Sequence, residues 1–267
     1  MATARYRLDD LRRFAAALGV AAGLAPARAA ALATQLLWYD AAGAASLGIA
    51  TLPDWLDRLD RGDVDPKAEG AIGPERAGTA VLDGKNGLPP LILARAAGLA
   101  TEKARDVGVG LVRVVGIGPI ASAAAVAAEV ALGPEAAAVL GPSSSWAIAL
   151  PSPEGLPLVV DPALDGARGS PPAVFAPLVL LAPEGGWLFA AAAIGALEPL
   201  ATFHERLTAA LPGLDRLPGS LFPDRWEASR RTARERGVSI PSGPLSALRR
   251  RAKDVGIPPP ESIKSIP

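Results

Sequence analysis

The sequence contains no cysteine and a single histidine, His204. The first absence excludes disulfides, thiolate nucleophiles and zinc-thiolate sites, and the second excludes any site needing two imidazoles, so no metal centre is expected. Aromatics make up only 4% of residues, and neither sign of charge is in excess, Lys+Arg 27 standing against Asp+Glu 27. A net charge of zero supplies no general attraction to phosphate, so nucleic acid is not an expected partner. Long apolar runs are also missing. Ala121–Ala131 and Ala190–Ala193 are apolar but too short to span a bilayer, and no membrane partner is expected. The opening stretch MATARYRLDD is charged and lacks the basic start and apolar run of a signal peptide, which predicts a cytoplasmic protein.

What is present is a chain of 267 residues, 50% hydrophobic and 20% charged, long enough to bury a core without staples and too apolar to be disordered. Leu11, Phe14, Ala15 and Leu18 recur at helical spacing behind the capping candidates Asp9 and Asp10, and Gly23 closes that helix. Pro26 opens a second helix with Ala30, Ala33, Leu37 and Ala41 on one face, giving a helical hairpin. Leu52, Trp55, Leu56 and Leu59 mark a third helix. Residues 61–78 read as a polar connector in which Arg61-Gly62-Asp63 is a helix-terminal turn rather than an adhesion tripeptide.

Thr79–Leu82 is β-prone and runs into Asp83-Gly84-Lys85-Asn86-Gly87, a tight turn whose glycines and Asn86 can take positive φ. A helix over Leu91–Val107, closed by Gly108 and Gly110, then precedes a strand at Val109–Val115. Further on, the pattern predicts a helix at Ala121–Leu132, a strand at Ala136–Leu140 and paired strands at Trp146–Leu150 and Leu156–Val160. A loop follows at Pro162–Pro177, then strands at Leu178–Leu181 and Trp187–Ala192. Helices at Pro199–Leu211, Arg225–Arg236 and Pro244–Val255 end the chain, and the cluster Arg249, Arg250, Arg251 and Lys253 reads as a solvated face. The fold class predicted is α/β, with a mixed central sheet and a helical layer formed from both the N- and C-terminal segments. The domains expected are 1–75, an N-terminal helical segment; 76–196, the sheet-containing part; and 197–267, C-terminal helices packing back on the N-terminal segment.

The order of these segments resembles the malate/L-lactate dehydrogenase family, the non-Rossmann NAD(P)-dependent reductases of 2-oxo acids and cyclic imines. The resemblance lies in Val81-Leu82-Asp83-Gly84-Lys85-Asn86-Gly87, Ala100-Thr101-Glu102-Lys103-Ala104-Arg105 and Gly108-Val109-Gly110. Toward the C-terminus it continues through Trp187–Ala190, Leu221–Pro223, Arg236–Ile240 and Leu245–Gly256. It implies NAD(P)H as the cofactor if the chain is active, a small-molecule substrate, and assembly as a homodimer or as a subunit beside another chain.

The departures from the family are as informative. Where the family has a Ser-His-Gly tripeptide, whose imidazole exchanges a proton with the substrate oxygen, this chain has Ser46-Leu47-Gly48. The basic residue usual just after it is replaced by Thr51, which removes the partner of a substrate carboxylate. A second histidine-containing signature falls on Ile117-Gly118-Pro119-Ile120-Ala121-Ser122 with none of its residues kept, and a cofactor-holding segment falls near Ser143-Ser144-Ser145. The family's Lys-Gly segment has no counterpart between Asp165 and Leu178. Asp161 matches the family's acidic residue at a strand end.

The candidate site residues are therefore Ser46 and Asp161, each with a plain alternative: Ser46 as a turn residue, Asp161 as a cap on the following loop. His204 reads as a surface residue on an arginine-bearing helix. The glycine-rich turn Gly116-Ile117-Gly118 before Ser122 could cradle a phosphate, but Pro119 removes a donor and the third glycine of a dinucleotide fingerprint is missing. Two functional readings stand side by side. One is a divergent oxidoreductase of small 2-oxo or 2-hydroxy acids or related imines. The other is a catalytically inactive relative serving as a subunit or small-molecule binding protein, favoured by apolar Leu47 and Ile120. An unrelated α/β interaction protein is a third.

Overall fold

A computed structural model describes residues 4–142, 145–167, 186–214 and 217–263. In chain order the elements begin with β1 (Arg5–Tyr6), α1 (Leu8–Ala21), α2 (Pro26–Ala42), a 3-10 turn at Ile49–Thr51, α3 (Leu52–Asp60), β2 (Ala71–Glu75), β3 (Thr79–Asp83) and α4 (Pro89–Val107). Next come β4 (Val109–Val115), α5 (Ala124–Val130), β5 (Glu135–Leu140), β6 (Trp146–Leu150), β7 (Leu158–Val160) and a 3-10 turn at Pro162–Asp165. The chain continues with β8 (Trp187–Ala193), α6 (Leu200–Leu214), β9 (Ser220–Leu221), α7 (Pro223–Arg236), β10 (Val238–Ser239) and α8 (Ser242–Asp254). These elements fall into two compact units, one of residues Met1–Lys67 with Arg225–Pro267 and one of Ala68–Asp224. The segment 197–224, with α6 and β9, thus groups with the sheet.

The first unit is helical. The α1–α2 hairpin buries Leu11, Phe14, Leu18, Leu32 and Leu36, and Gly19 lets the helices close, since a Cβ there would stand 3.0 Å from that of Ala29. Asp9 and Asp10 do not cap α1. Arg7 holds the extended N-cap position, and the two carboxylates lie inside the first turn, where they favour the positive end of the helix and pair with Arg12 and Arg13. The antiparallel ribbon of β1 and β10 joins the two terminal segments, with the Arg5 guanidinium donating to the Arg236 and Gly237 carbonyls. The basic cluster of α8 is not wholly solvated. Arg251 is half-buried and pairs with Asp57 and Asp60 of α3, and Arg249 donates to the Tyr6 hydroxyl at 3.0 Å.

The second unit is built on an eight-stranded mixed sheet of order β2-β3-β4-β8-β5-β6-β7-β9. Only β3 and β4 pair in parallel, with α4 as their crossover; every other described pairing is antiparallel. Central strand β8 buries Trp187 and Phe189 completely, and its alanines lie opposite those of β5, Ala191 against Ala137 and Ala190 against Ala138. Helix α4 lies so close to β4 that only glycine fits at Gly110, where a Cβ would stand 1.9 Å from the Ala100 carbonyl oxygen. The sequence pattern hid β2 inside the polar connector, because all five of its residues are exposed at a sheet edge and Pro74 interrupts them. Helix α5 is shorter than predicted, since residues 121–123 form its entry turn. In the Asp83–Gly87 turn the positive φ angles belong to Lys85 and Asn86; Gly84 is needed for space instead, its Cβ position lying 2.2 Å from Ile117. The predicted strand Leu178–Leu181, residues 168–177 of the predicted loop, and Ser143 and Ser144 lie outside the described residues.

Candidate functional site

Asp161 follows β7 directly, and its side chain gathers donors from two neighbouring segments. Its Oδ2 accepts from the Ser122 hydroxyl at 2.6 Å and its Oδ1 from the Ala163 amide at 2.9 Å. The Ser122 oxygen in turn accepts from the Ala124 amide at 3.2 Å, so one carboxyl ties the entry of α5 to the 3-10 turn. The backbone is as tightly held: the Asp161 amide donates to the Gly219 carbonyl at 3.1 Å, and Asp165 Oδ2 accepts from the Gly219 amide at 2.6 Å. A Cβ on Gly219, whose φ is +71°, would stand 1.8 Å from the Asp161 carbonyl oxygen. Burial pushes the Asp161 carboxyl above the ordinary carboxylate range, while the Ser122 hydroxyl and the amides of Ala163, Ala123 and Ala124 pull it back. Asp161 therefore caps the loop that follows it, and it is also a buried acid.

Ser46 belongs to the first unit. It is exposed in a turn over residues 45–48, closed by Leu47 N–H to the Ala44 carbonyl at 2.9 Å and Gly48 N–H to the Ala45 carbonyl at 3.3 Å. Leu47 beside it is half-buried, and Thr51 donates its hydroxyl to the Gly48 carbonyl at 2.9 Å. A residue that sequence reasoning missed lies at the base of this turn. Asp40, on the inward face of α2, is 6% exposed, and its Oδ2 accepts from the Ile49 amide at 2.8 Å. Burial pushes its carboxyl up to about 7, with the Ile49 amide opposing. The signal in the sequence was a lone carboxylate among Leu36, Leu37 and Tyr39. Ser122, the partner of Asp161, had no such signal, because 39 residues separate the two.

The remaining candidates are less reactive. Ile120 is half-buried in the turn before α5. His204 is not a simple surface residue: it is half-buried on α6, with Nε2 shielded from solvent and without a hydrogen-bond partner among the described residues. Among the described residues no group of three His, Asp or Glu side chains could hold a metal, and no helix is long and apolar enough to cross a membrane. A groove of about 510 Å³ in the first unit, between α1, α3 and α8, is lined by Leu18, Asp57, Asp60, Arg250 and Arg251; Asp57 and Asp60 are paired with Arg251.

Residues 6–133 match the malate/L-lactate dehydrogenase family. The match covers 128 of the 267 residues of the chain. The L-sulfolactate dehydrogenase of Methanocaldococcus jannaschii is 40% identical over 73 residues, which is 27% of this chain and only 21% of that protein's length. Among solved structures, malate dehydrogenase from Pyrococcus horikoshii superposes with a TM-score of 0.80 at 18% identity, covering 98% of this chain and 97% of the other. The delta1-piperideine-2-carboxylate reductase of Pseudomonas syringae gives 0.75 at 21% identity, covering 94% and 100%. These two likenesses establish the malate/L-lactate dehydrogenase-like fold of the chain.

Proteins of that family are NAD(P)-dependent, and in this chain the glycine-rich turn before α5 is the candidate seat for cofactor phosphates. It does not fit. Pro119 offers no N–H, the Ser122 hydroxyl is already held by Asp161 and Ala124, and α5 is a single short helix of seven residues.

Proposed function

We propose that this chain is a divergent NAD(P)-dependent oxidoreductase acting on a small 2-oxo or 2-hydroxy acid or a related imine. The observation that carries the reading is the family match over residues 6–133, which includes the turn bearing Ser46 and the Asp83–Gly87 turn. The bound nicotinamide would supply hydride. In this reading the exposed Ser46 hydroxyl contacts substrate, Leu47 beside it occupies the place of the family's proton-exchanging histidine, and Asp161 is a residual acid of the second unit. Leu47 can neither give nor take a proton, and a positioned acid or base contributes typically ~10²- to 10⁴-fold, so turnover is slowed by about that factor.

A second reading is an inactive relative that binds a small molecule or accompanies another chain, as a homodimer or a hetero-subunit. It is favoured by Leu47 and by the commitment of both Asp161 oxygens to hydrogen bonds within the unit. Titrating the protein with NADPH and with NADH, following its five tryptophans, separates the two. Saturable micromolar binding supports the oxidoreductase. No binding at millimolar cofactor, with a histidine-containing relative binding in parallel, rejects it.

A further inference from the structure

Helix α2 ends at Gly43, whose amide donates to the Asp40 carbonyl at 3.3 Å, and the chain returns to the Asp40 side chain at Ile49, making residues 40–49 a closed loop with Ser46 exposed on it. One hydrogen bond, Ile49 N–H to Asp40 Oδ2, closes it from the side-chain end. The contact beside it leaves no slack, because a Cβ on Gly48 would stand 2.3 Å from Oδ2 and 2.6 Å from Oδ1. Asp40 Oδ1 is shielded from solvent and has no hydrogen-bond partner among the described residues. An ionised carboxylate offers about four acceptor positions. Here a single amide serves them, so the charged form is poorly solvated while the loop is shut and well solvated once it opens.

We propose that Asp40 is a positioning residue for Ser46: in its neutral form it holds the 41–48 loop shut, and its ionisation favours an opened loop in which the carboxylate meets water. The proposal rests on the reading of Ser46 as a substrate contact only for its consequence in the reaction, not for the motion itself. Its sign follows from burial, which favours the protonated acid in the shut loop, whereas in an opened loop Asp40 titrates as an ordinary aspartate. The shut form is therefore most stable below about pH 4, loses ground as pH rises from there to about 7, and changes no further above it. Burial is the larger cause of the shift and the Ile49 amide opposes it; no charged side chain is among its causes.

The test is amide hydrogen exchange on the whole chain between pH 4.5 and 8.5, with each rate divided by its intrinsic rate at that pH. The protection of Ile49, Gly48 and Leu47 is expected to fall about tenfold per pH unit from about pH 4 to about pH 7 and to level off above it, while amides of the α1 interior stay level throughout. Asp40→Asn, which keeps an acceptor for Ile49 and cannot ionise, is expected to abolish the dependence. Should that variant not fold, the carbon-13 carboxyl shift of Asp40 in the unaltered protein is read instead, and a titration midpoint near 4 overturns the proposal. Level protection at Ile49 across the range overturns it as well, and so does an unchanged dependence in Asp40→Asn. If the loop responds as described but NAD(P)H does not bind, the oxidoreductase reading fails and the positioning of Ser46 stands. If the cofactor binds and the loop does not respond, the reverse holds.

Discussion

Replacing Ser122 by alanine probes the buried acid most directly. The hydroxyl donates to Asp161 Oδ2 at 2.6 Å and accepts from the Ala124 amide at 3.2 Å, and both side chains are buried, Ser122 at 8% and Asp161 at 2% exposure. A hydrogen bond to a charged group contributes about 1.5–3 kcal/mol and a neutral one roughly 1 kcal/mol, and no side-chain volume beyond one oxygen is lost, so Ser122→Ala should cost about 3 kcal/mol. In a double-mutant cycle with Asp161→Asn, the pair should be coupled by about 1.5–3 kcal/mol. The loss should be larger at high pH than at low, because the Ser122 hydroxyl favours the ionised form of Asp161 and does less for the neutral acid. Urea unfolding of the two single variants, the double variant and the parent protein measures all of this. A coupling below about 0.5 kcal/mol, the level at which independent sites add, would refute the claim that the two side chains act as one unit.

Three further outcomes follow from the packing. Asp40 has an unfolded value of 3.8 and a native value of about 7, so its native state binds the proton more tightly; the first unit should lose about 4 kcal/mol between pH 4 and pH 7 from this group and nothing further above it. Unfolding against pH checks this, and Asp40→Asn should remove the slope. Gly219→Ala meets both a φ of +71° and the Asp161 carbonyl oxygen at 1.8 Å, and thermal melting should show a loss above about 2 kcal/mol. Gly110→Ala sets a methyl 1.9 Å from the Ala100 carbonyl oxygen and must push α4 off β4; a drop in melting temperature of under about 2 °C would contradict the close approach described here.

The elements with strong periodicity were legible in the sequence. Leu11, Phe14 and Leu18 announced α1, the β-branched run from Val109 announced β4, and the loop-flanked pair β6–β7 was visible around Pro151. Elements stabilised by pairing alone were not: β1, β9 and β10 are two residues long, and β2 is an exposed edge whose residues carry no alternation. The candidate residues were half legible. Asp161 stood out at a strand end and Ser46 in a small-residue turn, but the partner of Asp161 lies 39 residues away on another element, and only the folded chain joins them. Asp40 stood in the sequence as one acid in an apolar stretch, and only the fold shows what makes it unusual: a glycine beside it without room for a Cβ and an oxygen without a donor among the described residues.

The proposed function holds that this chain carries out hydride transfer although Leu47 stands at the proton-exchange position. The measurement that bears on it is the rate of NADPH and NADH oxidation with a panel of small 2-oxo acids and cyclic imines, for the parent protein and for Leu47→His in parallel. The account predicts slow oxidation by the parent with at least one substrate, and a rate about a hundredfold higher or more for Leu47→His. Failure of both proteins to oxidise either cofactor with any of these substrates would contradict it.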